Sequence, residues 1–120
     1  MATMITVKIL ETELQAPLLN PEVAKRYEEG VNAVGERASK AEGKINAETI
    51  REQCQSVIDF IDEIFGEGSA KAVFGEETDL IECLTAFWDL VHLYRDQVVP
   101  QMNEAFGKLE EKRKKKLGDI

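Results

Sequence analysis

Histidine occurs once in the 120 residues, at His92, tryptophan once, at Trp88, and cysteine twice, at Cys54 and Cys83. Nothing near His92 supplies the ligand spacing of a zinc site. No Ser/His/Asp or Cys/His set can be assembled without assuming a fold. Gly66-Glu67-Gly68 and Gly75 lack the lysine and hydroxyl placement of a phosphate-binding loop, so these glycines read as helix ends. Asp59, Asp62 and Glu63 cluster along a helical stretch, but in so charged a chain they read as a solvated face rather than an acid–base pair. No catalytic residue, metal or cofactor is therefore assigned, and the chain is expected not to be an enzyme. Long apolar runs are also missing. None approaches the roughly 20 residues of a membrane helix, and Met1 to Leu10 lacks the basic start, apolar stretch and small-residue site of a secretory signal. A cytoplasmic protein with no membrane partner is expected, in which Cys54 and Cys83 are buried small hydrophobes rather than a disulfide.

What the chain does contain is enough apolar material for one core: 43% hydrophobic residues beside 32% charged ones. The length fits a single domain over residues 1–120. Charge is unevenly placed. The net charge is −8, yet Lys112, Arg113, Lys114, Lys115 and Lys116 fall in one run, which leaves residues 1–111 at −12. An acidic body repels phosphate backbones, so nucleic acid is not expected as the main partner; the basic run is the one place that could touch it.

The pattern predicts a mainly α fold, a small helical domain with a short N-terminal β element. Ile5-Thr6-Val7-Lys8-Ile9 alternates as a strand does, and the stretch to Ala16 pairs back or extends it, giving a β element over 5–16. A helical body over 20–98 follows. Asn20-Pro21-Glu22 supplies a cap, a first-turn proline and an acid, opening a helix with Val23, Tyr27, Val31 and Val34 inward. Gly30 and Gly35 weaken that helix, so it is expected to fray between Gly35 and Gly43 and leave a linker. Asn46 caps a second helix whose Ile50, Cys54, Val57, Ile58, Ile61, Ile64 and Phe65 recur at three- and four-residue steps. Ser69 is read as the cap of a short turn of helix ending at Gly75. A third helix starting after Thr78 or Asp79 presents Leu80, Leu84, Phe87, Trp88, Val91 and Tyr94 as a stripe that packs on the second. Pro100 forces a kink or restart, after which a terminal helix occupies 99–116 with a basic end.

Val99, Met102, Phe106 and Leu109 form the apolar face of that last helix and extend beyond what the central helices can cover. They are the candidate partner-binding residues, suited to self-association, to another protein's helix, or to packing back on the body. Lys112 to Lys116 are the candidate nucleic-acid contact. Their simplest explanation is electrostatic: cations near a helix C-terminus are favoured by its dipole, and no aromatics interleave them as in an RNA-binding surface.

The succession of a short β start, Asn20-Pro21-Glu22-Val23-Ala24-Lys25-Arg26-Tyr27-Glu28, Ile58-Asp59-Phe60-Ile61-Asp62-Glu63-Ile64-Phe65-Gly66-Glu67-Gly68, Val73-Phe74-Gly75 and Leu80-Ile81-Glu82-Cys83-Leu84-Thr85-Ala86-Phe87 resembles the tail assembly chaperones of Gram-positive long-tailed phages and prophages. The resemblance spans roughly residues 5–98, and its motifs are structural signatures without a catalytic core. It implies a non-enzymatic protein that binds the tape measure protein and keeps it soluble during tail morphogenesis. Further contact with the major tail protein or with itself is implied, and absence from the mature virion. The alternative function is a helical nucleic-acid-associated regulatory or packaging protein using Lys112 to Lys116. Such families often produce a second, longer product by a −1 ribosomal frameshift. The resemblance thus predicts an adenine-rich slippery heptamer across the codons for Lys114-Lys115-Lys116. Sequencing the encoding DNA checks this; a mixed lysine codon set with no overlapping −1 frame contradicts it.

Overall fold

The computed structural model describes residues 2–118, with side chains up to Lys115; Lys116 of the basic run lies outside the described side chains. The β-branched alternation at the start becomes an antiparallel hairpin, β1 (Ile5–Ile9) and β2 (Thr12–Ala16), in the register Ile5↔Ala16 to Ile9↔Thr12. The second segment therefore pairs back rather than extending the first. Ile5, Val7, Ile9, Leu14 and Ala16 share one buried face, as period-two geometry requires. The connection bends at Leu10 (φ +54°), a left-handed conformation uncommon for a residue with a side chain.

Five α-helices follow among the described residues: α1 (Pro21–Lys40), α2 (Ala47–Phe65), α3 (Ser69–Phe74), α4 (Leu80–Val91) and α5 (Val99–Gly118), the last two joined through a π-helical turn, Tyr94–Val98. Side chains define their starts. Asn20 Oδ1 accepts from the backbone N–H groups of Glu22 (3.0 Å) and Val23 (3.4 Å), ahead of Pro21 in the first turn. Asn46 and Thr49 form a reciprocal capping box at the head of α2. Asp79 accepts from Glu82 N–H at 2.8 Å and opens α4. Gly66 (φ +109°) and Gly75 (φ +77°) end α2 and α3 in conformations that favour glycine. Ser69 is the first residue of α3 rather than its cap, which is Gly68; Asp62 of α2 accepts the Ala70 N–H at 2.9 Å instead.

α2 is the centre of the core. Val57, Phe60, Ile61 and Ile64 are buried among the hairpin, α1, α3 and α4. Cys54 and Cys83 are buried free thiols on α2 and α4. Burial first, and a hydrogen bond with Cys54 second, push the Cys83 thiol up to about 12, so it stays protonated at neutral pH. Among the described residues, no helix is long and apolar enough to cross a membrane.

Three details differ from the expectation. α1 does not fray at Gly35 but continues to Lys40, held by buried Val34, and only residues 41–46 connect it to α2. α4 faces the core with Cys83, Ala86 and Leu90, while Leu84, Trp88 and Val91 are exposed. The small Cys83 and Ala86 allow close approach to α2, where an indole would hold the helices apart. The break in the last helix precedes Pro100. A proline ring clashes with the carbonyl four residues back, here that of Asp96, which lies inside the π turn, so the helical register has already changed when Pro100 enters the first turn of α5.

Two glycines of α1 make opposite predictions. A Cβ on Gly30 would stand 2.4 Å from the buried Phe60 ring, whereas one on Gly35 meets nothing within 4 Å. Gly30→Ala is expected to lower stability by about 1–3 kcal/mol through overpacking, and Gly35→Ala to raise it by about 0.5–1 kcal/mol through helix propensity. Urea midpoints of the two variants check both signs.

Candidate functional site

The candidate face depends on how the helix running from Leu80 to Gly118 is held. β1 pairs with β2 along one edge only, and an open strand edge exposes unpaired N–H and C=O groups. Here the long helix covers the other edge with side chains. Gln97 accepts from Lys8 N–H at 2.7 Å and donates to Lys8 C=O at 2.8 Å, Gln101 donates to Thr6 C=O at 2.7 Å, and Asp89 accepts from Leu10 N–H at 3.0 Å.

Two tyrosines add to this attachment. The Tyr27 hydroxyl, from α1, donates to the carbonyl of Leu90 and lies 3.1 Å from that of Val91, just before the helix changes from i→i−4 to i→i−5 bonding. Tyr94 donates to Leu18 C=O, and its ring centroid lies 4.6 Å from that of Tyr27. Burial, then the neighbouring Tyr94 and Glu28, push the Tyr27 hydroxyl up to about 12; burial and Glu28 raise that of Tyr94 as well.

These contacts use the inner side of the helix. The four sequence-assigned residues, Val99, Met102, Phe106 and Leu109, are all exposed, with Phe106 at 62%, and Met102 and Leu109 continue the side of buried Val98 along α5. The outer side of α4 carries four residues that sequence reasoning missed or placed in the core: Ile81 (77% exposed), Leu84, Trp88 (67%) and Val91. The signal was present in composition. LIECLTAFWDLV is apolar almost all round, and a helix of that kind has a second apolar face once the first is buried.

The π turn aligns Val99 with Val91, while the α5 set as a whole lies about 100° around the helix from the α4 set. From Val91 to Val99 is eight residues, which in an uninterrupted α-helix would rotate the face by about 80°. A turn closed by i→i−5 bonds takes up one additional residue, which offsets most of that rotation and sets Val99 behind Val91. From Leu80 to Gly118 the rise is about 58 Å at 1.5 Å per residue, which accounts for most of the 69 Å long axis against widths of 26 and 22 Å. The radius of gyration, 17.8 Å, exceeds the roughly 14 Å of a compact chain this long, so α5 projects from the body.

Met4, Leu19 and Ile45 are the other large hydrophobic residues exposed among the described residues. Lys112, Arg113, Lys114 and Lys115 are exposed on the projecting end of α5, and Glu104 and Lys108 pair one turn apart at 3.4 Å. His92 packs against Trp88 with the rings tilted at 47° and centroids 4.3 Å apart, its Nδ1 2.9 Å from the Trp88 carbonyl. Among the described residues no three His, Cys, Asp or Glu side chains converge as metal ligands would. Asp59 accepts from the Gln55 side chain and Asp62 from the Ala70 N–H, so two of the three acids clustered on α2 have structural partners. An open groove of about 680 Å³ between α1 and α4 is lined by Val31, Gly35, Phe87 and Val91 and meets the apolar face at Val91.

Over residues 10–118 the chain matches a family of unknown function, DUF6673, and it belongs to that family. Neither a curated protein nor a solved structure matches it.

Tyr27→Phe removes the donor from the buried Leu90 carbonyl and is expected to cost about 1–3 kcal/mol. The raised folded value makes the folded state hold its phenolic proton more tightly than the unfolded chain, whose tyrosine titrates near 10. That contribution to stability is present below pH 10 and is lost as pH rises from about 10 to about 12. Urea denaturation across this range should show a shallower alkaline fall for Tyr27→Phe than for the wild type.

Proposed function

We propose, for this member of a family without an assigned activity, that the chain is a non-enzymatic assembly chaperone that holds an amphipathic helix of another protein against the exposed apolar side chains of α4 and α5. One observation carries the reading. Eight large apolar side chains, Ile81, Leu84, Trp88, Val91, Val99, Met102, Phe106 and Leu109, stand exposed on these two helices, four on each. Contiguous exposed apolar surface on that scale marks a protein-binding face, and three- and four-residue spacing suits a helical partner read by the same periodicity.

The partner proposed from the resemblance is the tape measure protein of a long-tailed phage, a long helical chain that needs its apolar stripe covered until tube subunits surround it. Contact with the major tail protein belongs to the same proposal. On this reading the protein acts in the bacterial cytoplasm and leaves before the virion is complete. The acidic body then has a plain role, keeping the loaded complex soluble.

Both Met102 and Phe106 are exposed, so replacing them leaves the core untouched. The double variant Met102→Asp/Phe106→Asp, co-expressed with the tape measure protein, is expected to lose capture by at least tenfold with an unchanged circular dichroism spectrum and urea midpoint. Capture retained by the folded variant contradicts the assignment. Loss of capture that instead follows removal of residues 112–116 and falls steeply with salt would favour the nucleic-acid reading.

A further inference from the structure

The apolar side chains of α5 continue the side of the helix that is buried inside the body. At about 100° per residue, Val98, Met102, Phe106, Leu109 and Arg113 fall within an arc of about 80°. Val98 is buried and the other four are exposed. The stripe therefore leaves the core where α5 leaves the body, and runs outward uncovered.

Past Leu109 the surroundings of this stripe change. Lys112, Arg113, Lys114 and Lys115 are consecutive and all exposed, and at about 3.6 residues per turn they put positive charge on every side of the helix. Nearer the body the charges are mixed: Glu110 flanks the stripe, while Glu104 and Glu111 stand on the opposite side, where Glu104 pairs with Lys108.

We propose that this stripe docks a helix of another protein that lies antiparallel to α5 and carries carboxylates in its first turn, ahead of apolar residues at three- and four-residue spacing. The docking rests on the protein-binding reading given above and adds the partner's charge and direction. A helix lying along Met102, Phe106 and Leu109 has its inner end at the body and its outer end among the cations, which carboxylates complement. Direction follows from the dipoles. Acids are favoured at a helix N-terminus, and an antiparallel partner sets its N-terminus beside the C-terminal end of α5. An extended polyanion fits less well, because residues 1–111 carry −12 and repel phosphate, whereas a single acidic turn meets only the tip.

The test uses the purified full chain and labelled synthetic peptides of about 16 residues, which span the roughly 20 Å from Met102 to Lys115 at 1.5 Å per residue. All share one leucine stripe. Their first turn holds glutamates, glutamines or lysines, and a further peptide holds the glutamates in its last turn. Fluorescence anisotropy at low salt is expected to show the glutamate-first peptide bound about tenfold tighter than the glutamine peptide, with the lysine peptide weakest. It should also exceed the glutamate-last peptide by about threefold. Phe106→Asp should weaken every peptide by about tenfold. Lys112→Gln/Arg113→Gln/Lys114→Gln/Lys115→Gln should erase the preference for glutamate over lysine, and both variants should keep the wild-type urea midpoint, since these side chains are exposed.

Equal binding of the glutamate-first and lysine-first peptides overturns the acidic partner while leaving α5 a protein-binding helix, and equal binding of glutamate-first and glutamate-last overturns the antiparallel direction. Binding of none of the peptides overturns the docking and removes α5 from the protein-binding reading as well. A phosphatidylglycerol vesicle or a DNA duplex bound more tightly than the glutamate-first peptide assigns the tip to a polyanion and overturns the docking.

Discussion

The side-chain amide of Gln97 bound to both polar groups of the Lys8 peptide is the contact on which the rest of the architecture depends. An amide offers the donor and acceptor that a neighbouring strand would offer, so it closes the free edge of a two-stranded hairpin that would be marginal alone. The same contact fixes the long helix at its π turn, with Gln101 and Asp89 extending the attachment one element to each side. A hairpin that needs a helix for its edge and a helix that needs a hairpin for its anchor stabilise each other. The inner side of α4 is thereby committed, and the exposed apolar side chains of α4 and α5 are left to solvent or to another polypeptide.

The π turn joins α4 to α5 and sets Val99 close behind Val91. Pro100 disfavours a regular α-helix through this region. Widening one turn absorbs an extra residue, while the Tyr27 hydroxyl supplies a donor to the carbonyl just upstream, where the bonding pattern changes. Gly30 contributes at a distance, because its missing side chain lets the Phe60 ring reach the backbone of α1, and Phe60 in turn lies 6.0 Å from Tyr27. One glycine, one phenyl ring and one hydroxyl thus connect the core to the geometry of the exposed face.

Much of the fold was legible because its signals are local. The caps at Asn20, Asn46 and Asp79, the alternation of β1 and the three- and four-residue recurrence of α2 all act within a few residues. The phase of α4 was not legible. Its apolar residues occupy two faces, and periodicity alone does not say which one is buried; the small Cys83 and Ala86, suited to close packing with α2, were the available clue. The candidate site was half read for the same reason: Val99, Met102, Phe106 and Leu109 were recognised on a helix with little else apolar, while Trp88 was assigned to the core as part of the stripe it forms with Leu84 and Val91. Gln97, Gln101 and Asp89 gave no signal, since their partners lie 79 to 95 residues away in the chain and polar residues on a helix otherwise read as solvated.

Trp88 gives the most direct measurement of the central claim, that the exposed apolar side chains of the long helix are a surface for another polypeptide. It is the only tryptophan in the chain and stands on that face, 67% exposed. Its emission in dilute solution should be that of a hydrated indole and should move to shorter wavelength, with loss of quenching by acrylamide, as a partner helix is added. Emission that stays hydrated and fully quenchable on that addition would contradict the account.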